Sequence, residues 1–89
     1  MPEGLNTRNK VVGLKQSRRA LREGEATRVY LAQDASGQIR REITALCRMK
    51  HVVCESVPTM KQLGELCGIT VGAAVAALVA DKTTDSSGI

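Results

Sequence analysis

Phe and Trp are missing from this chain, and Tyr30 is its single aromatic residue. A core built from the remaining apolar side chains, mostly Ala, Val and Leu, must be aliphatic and thin. No apolar run reaches the ~18 residues of a membrane span, and the polar start Met1-Pro-Glu-Gly lacks the basic-then-apolar layout of a signal peptide. These absences point to a cytosolic chain that does not enter a membrane. Cysteine is sparse and odd in number, at Cys47, Cys54 and Cys67. Without a secretory signal such a set argues against a disulfide framework and for small buried thiols.

Catalytic chemistry is equally thin. There is one His, no Gly-rich phosphate loop of the Walker or dinucleotide kind, and the carboxylates Glu23, Glu25, Asp34, Glu42, Glu55 and Glu65 are scattered without a pair. An enzyme is not expected. Cys47-x3-His51-x2-Cys54, with Cys67 further on, could in principle ligate zinc. The spacing lacks a C-x2-C knuckle, and Cys47 and Cys67 fall on apolar helical faces, so no metal or other cofactor is expected.

What is present is charge, unevenly placed. Residues 1–22 hold six basic groups (Arg8, Lys10, Lys15, Arg18, Arg19, Arg22) against Glu3 alone, while the other 67 residues balance at −1, with seven basic and eight acidic groups. Such asymmetry is the footprint of a polyanion binder, although a solvated basic face is the plain alternative. With 89 residues and 43% apolar content, the chain can bury one small core and is not disordered as a whole. The domain is placed at residues 8–81. The polar stretch 82–89, which contains Thr83-Thr-Asp-Ser-Ser-Gly-Ile89, reads as a disordered tail.

Periodicity supplies the elements. After Val11-Val12-Gly13, residues Lys15 to Arg22 are good helix formers with a thin stripe of Leu14, Ser17, Ala20 and Leu21, and Gly24 is a plausible C-terminal cap. Thr27 to Ala32 is a β-prone run ending in the polar turn Gln33 to Gly37, and reads as a buried strand. From Gln38 to Lys50, Ile39, Ile43, Leu46 and Cys47 keep an amphipathic helical period. The short β-branched run Val52-Val-Cys54, with Val57 close behind, reads as a second buried strand. Thr59-x-x-Gln62 has the capping-box form, and Met60, Leu63, Leu66 and Cys67 give one apolar face before Gly68. Gly72 to Ala80 is Ala-rich and would be helix by propensity. Its lack of any polar face, and the strand-helix alternation before it, favour a central strand.

Lys15, Arg18, Arg19 and Arg22 stand at i, i+3, i+4 and i+7, on one helical face. Like charges at this spacing repel by roughly 0.2–0.5 kcal/mol per pair. A phosphate backbone converts that repulsion into attraction, and the helix start after Gly13 adds free N–H donors and a positive dipole end. Gln16 carries both donor and acceptor, and can read a base edge where Lys and Arg mostly hold phosphate.

Three stretches, Gly13-Leu-Lys-Gln-Ser-Arg-Arg-Ala-Leu21, Leu31-Ala-Gln-Asp34 and Met60-Lys-Gln-Leu-Gly-Glu-Leu-Cys-Gly-Ile-Thr-Val-Gly-Ala-Ala74, together resemble the kink-turn RNA-binding ribosomal protein family. That family includes an archaeal and eukaryotic large-subunit protein, and short bacterial paralogues that this chain resembles most. The resemblance covers residues 11–80. It implies a single-domain α/β fold, a three-layer α/β/α sandwich with a small mixed sheet of about four strands. It implies a structured RNA partner, ribosomal or riboswitch-like, bent at a bulge next to tandem sheared G·A pairs, and a monomeric protein without cofactor. By the same resemblance, Gly13 lets backbone approach the RNA, and Lys15 and Gln16 contact the G·A guanines. A basic residue, Arg19, follows one turn later; Arg18 and Arg22 on the same helical face, with Leu14 and Lys61, are further candidate RNA-binding residues. Asp34 lies beside the extruded nucleotides, and Ile69, Thr70 and Val71 cover the other side of the bulge. Aliphatic cover of this kind makes up for the absent aromatic platform. Many members have Thr or Ala in place of Leu14, and the pair Lys15-Gln16 is of bacterial type. A turn residue such as Gly is usual where this chain has His51. Related folds in the wider superfamily bind proteins instead of RNA, and a protein-interaction module is the alternative reading.

Overall fold

The computed structural model describes residues 9–79. Within them the chain runs β1 (Lys10–Val12), α1 (Leu14–Arg22), β2 (Ala26–Ala32), α2 (Gly37–Lys50), β3 (Val53–Val57), α3 (Met60–Cys67) and β4 (Val75–Val79). The tail expected at 82–89 lies outside the described residues.

The strands form one sheet in the order β1-β4-β2-β3. β4 pairs antiparallel with both β1 and β2, and β2 pairs parallel with β3, so β1, β2 and β3 share one direction and β4 opposes them. β2 alternates between two cores. Val29 and Leu31 face α1 and α2, where Leu21, Ile43 and Cys47 are buried with Val75 and Ala77. Ala32, and Tyr30 at its margin, face α3, where Leu63 and Cys67 are buried with Val57 and Ala76. The result is the expected α/β/α sandwich.

β4 settles the ambiguity of the Ala-rich segment. Paired on both edges and covered on both faces, it buries Val75, Ala76 and Ala77 completely. A strand with no polar face is what a doubly covered position requires, and here tertiary context overrides the helix preference of Ala. Two details differ from the sequence reading. β3 is not a buried strand: it is an edge, paired only with β2 among the described strands, and Val53 is 52% exposed while Val57 alone is buried. The Val11-Val12 lead-in is itself a short edge strand, aligned on Ala77 and Ala76.

Local signals terminate the helices as expected. Past α1, the Gly24 N–H donates to Leu21 (3.1 Å) and the Glu25 N–H to Ala20 (2.9 Å), closing a Schellman motif. Ser36 Oγ accepts from the Ile39 N–H at the start of α2, and Thr59 Oγ1 accepts from the Gln62 N–H at the start of α3. α2 ends on His51 at φ 57°, ψ 44°, the one non-glycine residue with positive φ among the described residues. The departure from the family's turn residue therefore falls on a left-handed cap. His51→Gly is expected to stabilise the fold by about 0.5–1 kcal/mol, because relief of the left-handed penalty exceeds the extra chain entropy. His51 precedes β3, at the end of the sheet opposite to that where the helices begin. Denaturant melts of both proteins check the expected stabilisation, and an unchanged or lower midpoint would refute it.

Candidate nucleic-acid interface

Because β1, β2 and β3 run in one direction, the three helices that follow them all begin at the same end of the sheet, where β4 also starts. Backbone hydrogen bonds lace that end together. The Gly13 N–H donates to Val75 (2.8 Å), the Ala32 N–H to Ala74 (2.9 Å) and the Ala73 N–H to Met60 (3.0 Å). Asp34 adds a side-chain link, its Oδ1 accepting the Met60 N–H at 2.8 Å. The structure thereby brings Gly13, Leu14, Lys15, Gln16, Asp34 and Lys61 to one tip, to which the loop carrying Ile69, Thr70 and Val71 returns from the far end of α3.

The helix starts at this tip are not alike. α2 is capped by Ser36, and α3 by Thr59 together with Asp34. α1 begins at Gly13 with no side-chain cap, and none of the three helices has an acidic residue in its first turn. The N–H groups of Leu14, Lys15 and Gln16 have no carbonyl a turn earlier to receive them. A first-turn Lys stands against the favourable sign of the helix dipole. Lys15 in α1 and Lys61 in α3, both exposed, accept that disadvantage. Gly13 sits at φ 106°, ψ 159°, a region open essentially to glycine alone. Gln16 folds back over it, with Oε1 3.4 Å from where a Cβ on Gly13 would lie, so the Gln16 amide is held at the tip.

The α3–β4 loop is fixed from below. A Cβ on Gly64 would fall 2.0 Å from the Val71 carbonyl oxygen, so the loop packs directly on the α3 backbone. Val71 is 68% exposed, whereas Ile69 packs partly against the core beneath α3. Of the two aliphatic groups Val71 is the outward one. Leu14 likewise packs partly against the core under α1.

The basic face of α1 is real but shared. Lys15, Arg18, Arg19 and Arg22 line one cleft of about 370 Å³ with Glu23. Arg18 is turned into the fold, where Nη2 donates to Glu42 Oε1 at 3.1 Å and Nε lies 2.6 Å from Oε2 as an ion-pair contact, tying α1 to α2. Arg19 pairs with Glu23 at 3.1 Å on the exposed surface, a link of little energy that leaves it able to exchange partners. Asp34 is a positioning residue for α3 in this structure as well as a tip residue.

Sequence reasoning found α2 as a helix but missed its charge. This helix carries Arg40, Arg41, Arg48 and Lys50 against Glu42 alone, and Glu42 is bound by Arg18. Counting charge over the last 67 residues averaged this run against carboxylates elsewhere. The run was nevertheless visible as a local excess.

The cysteines do not form a cluster. Cys47 and Cys54 pack in the core beneath α1 and α2, and Cys67 lies across the sheet beneath α3. Burial pushes the Cys47 thiol up to about 12, with adjacent Cys54 adding to the effect. Burial also raises Cys54 and Cys67. Thiols held protonated at neutral pH are poor nucleophiles and poor metal ligands.

A small α/β/α domain that gathers three helix N-termini and an aliphatic loop at one cationic tip is a defined class of protein. The chain belongs to the Ribosomal protein L7Ae/L30e/S12e/Gadd45 family, whose model matches residues 2–87. It is 46% identical over 69 residues to the RNA-binding protein YbxF of Geobacillus stearothermophilus, covering 78% of this chain and 84% of that one. An RNA-binding protein of Bacillus pumilus is 36% identical over 69 residues, with the same two coverages of 78% and 84%. Among solved structures, a 15.5kD RNA binding protein of Giardia lamblia superposes with a TM-score of 0.79 at 21% identity, covering 93% of this chain and 70% of that one. That likeness speaks for the fold.

Proposed function

We propose that this chain is a cytosolic, monomeric, cofactor-free RNA-binding protein that recognises kink-turn elements in structured RNA, ribosomal or riboswitch-like, and acts by binding and not by catalysis. The observation that carries this reading is the start of α1. It is the one helix start at the tip without a side-chain cap, and it presents open N–H groups, Lys15 and Gln16 to solvent. Uncapped N–H groups beside a cation are suited to an anion, and the adjoining amide to a base edge. Val71 offers an apolar surface for a nucleotide turned out of the stack, since RNA is read where its bases are splayed. Bacterial relatives named as RNA-binding proteins support the same ligand.

The test is Gln16→Ala against two RNAs. Affinity for a kink-turn with intact sheared G·A pairs should fall by about 1–3 kcal/mol, the scale of a lost base contact. Affinity for a duplex with Watson-Crick pairs in their place should barely change. Equal losses on both RNAs would reduce Gln16 to a positioning role, and equal affinity of the unaltered protein for both would refute kink-turn recognition.

A further inference from the structure

α2 turns a cationic face to solvent that the tip does not use. An open trough of about 500 Å³ runs along it, lined by Gly37, Arg40, Arg41, Thr44, Ala45 and Arg48. Arg41, Thr44, Ala45 and Arg48 follow i, i+3, i+4, i+7, so the backbone positions of the two arginines stand on one stripe about 10 Å apart along the axis, with only small side chains between them.

At the tip end of the trough, charge is concentrated against its own interest. A Cβ on Gly37 would lie 3.5 Å from Arg41 Nη1 and 3.9 Å from Arg40 Nη2, so both guanidinium groups converge on the N-terminus of α2, the positive end of its dipole. Arg40 is steadied there by its Nε donating to the Ala35 carbonyl at 3.2 Å. The one carboxylate on α2, Glu42, is engaged by Arg18. Apart from the Arg40 bond to Ala35, nothing on α2 offsets these arginines, and the positive end of the helix dipole opposes Arg40 and Arg41.

We propose that this face of α2 is a second RNA-binding surface, on which Arg41 and Arg48 hold the phosphate backbone of a duplex stem lying outside the kink-turn. The chemistry of the trough selects the occupant. It offers planar cationic forks suited to phosphate oxygens, and no apolar side chain larger than Ala to anchor a protein partner. Its position gives the stem a path: Gly37 lies three residues after Asp34, so the trough opens at the tip and leads away from it. Contacts to backbone alone carry no sequence information, and the surface grips any stem of sufficient length. The inference rests on RNA being the ligand of the tip.

The experiment measures binding of the unaltered protein and of the double variant Arg41→Gln/Arg48→Gln to four RNAs: a kink-turn with minimal stems, the same kink-turn with one long stem, and two plain duplexes, each matched in length to one of these. Both arginines are exposed, so the melting curve should not move. The long-stem RNA should bind the unaltered protein more tightly than the minimal one. The double variant should lose that increment and leave the minimal RNA unaffected. Its log-log salt slope on the long-stem RNA should be shallower by about two, so that its deficit shrinks roughly tenfold between 50 and 200 mM salt. An unchanged slope and affinity on the long-stem RNA would overturn the proposal. If the unaltered protein binds the minimal kink-turn no better than plain duplex of the same length as that RNA, the kink-turn reading fails on its own. The slope on the long duplex then still decides α2, a loss of about two supporting it and no loss overturning it.

Discussion

Gly64→Ala is expected to lower the melting temperature by roughly 10 °C and to weaken kink-turn RNA binding at least tenfold, although the residue is buried. Propensity argues the other way, because Ala in a helix interior is favoured over Gly by about 1 kcal/mol. Contact geometry decides the sign. The new methyl would lie 2.0 Å from the Val71 carbonyl oxygen, 3.0 Å from its carbon and 3.1 Å from the Gly72 Cα, all backbone atoms that cannot rotate aside. α3 cannot retreat easily, since Leu63 and Cys67 on either side of Gly64 are buried against the sheet. The loop must give instead. It is held by the Ala73-to-Met60 and Ala32-to-Ala74 hydrogen bonds, so moving it strains both ends. Overpacking of this kind costs about 1–3 kcal/mol, and each kcal/mol shifts the midpoint of so small a domain by about 4–8 °C. RNA affinity should fall separately, because Val71, the apolar surface proposed for an unstacked nucleotide, rides on the displaced loop. Binding should be measured at 10 °C, where the variant is still folded, beside a thermal melt. A midpoint equal to that of the unaltered protein would show that the contact relaxes at no cost.

The same Gly64 illustrates what could be read before the fold was known. The spacing of Ile39, Ile43 and Cys47 showed a helix and its buried face, and Thr59 with Gln62 showed where another begins, because both signals are local. The start of α1 was legible for the same reason: Gly13, Lys15 and Gln16 are neighbours in sequence and stay neighbours at the tip. The roles of Arg18 and Asp34 were not. Arg18 bonds to Glu42 and Asp34 to the Met60 N–H, 24 and 26 residues away in sequence, and no local pattern encodes such partners. β3 misled for a related reason. Short β-branched runs look alike in central and edge strands, and only the strand order shows that one side of β3 has no partner among the described strands. β4 went the other way: its helix-forming composition was correctly outweighed by the alternation of elements around it.

Gly13→Ala should separate the tip from the fold that carries it. At φ 106° and ψ 159° an alanine is strained by about 1–3 kcal/mol. The backbone cannot turn to relieve it without losing two bonds, the Gly13 N–H to Val75 at 2.8 Å and the Ser17 N–H to the Gly13 carbonyl at 3.0 Å. The methyl also meets the Gln16 amide at 3.4 Å, the group proposed to read the G·A pairs. Two losses are therefore expected, one in denaturant stability of about 1–3 kcal/mol and one in RNA affinity. The affinity loss should exceed that of Gln16→Ala, since the methyl both displaces the amide and stands where RNA would approach the open N–H groups of α1. It should also be larger on kink-turn RNA than on plain duplex. His51→Gly, at the opposite end of the sheet, provides the contrast by changing stability alone. If Gly13→Ala instead loses stability while binding kink-turn RNA as tightly as the unaltered protein at a temperature where both are folded, the start of α1 is a structural turn and RNA must dock elsewhere on the domain.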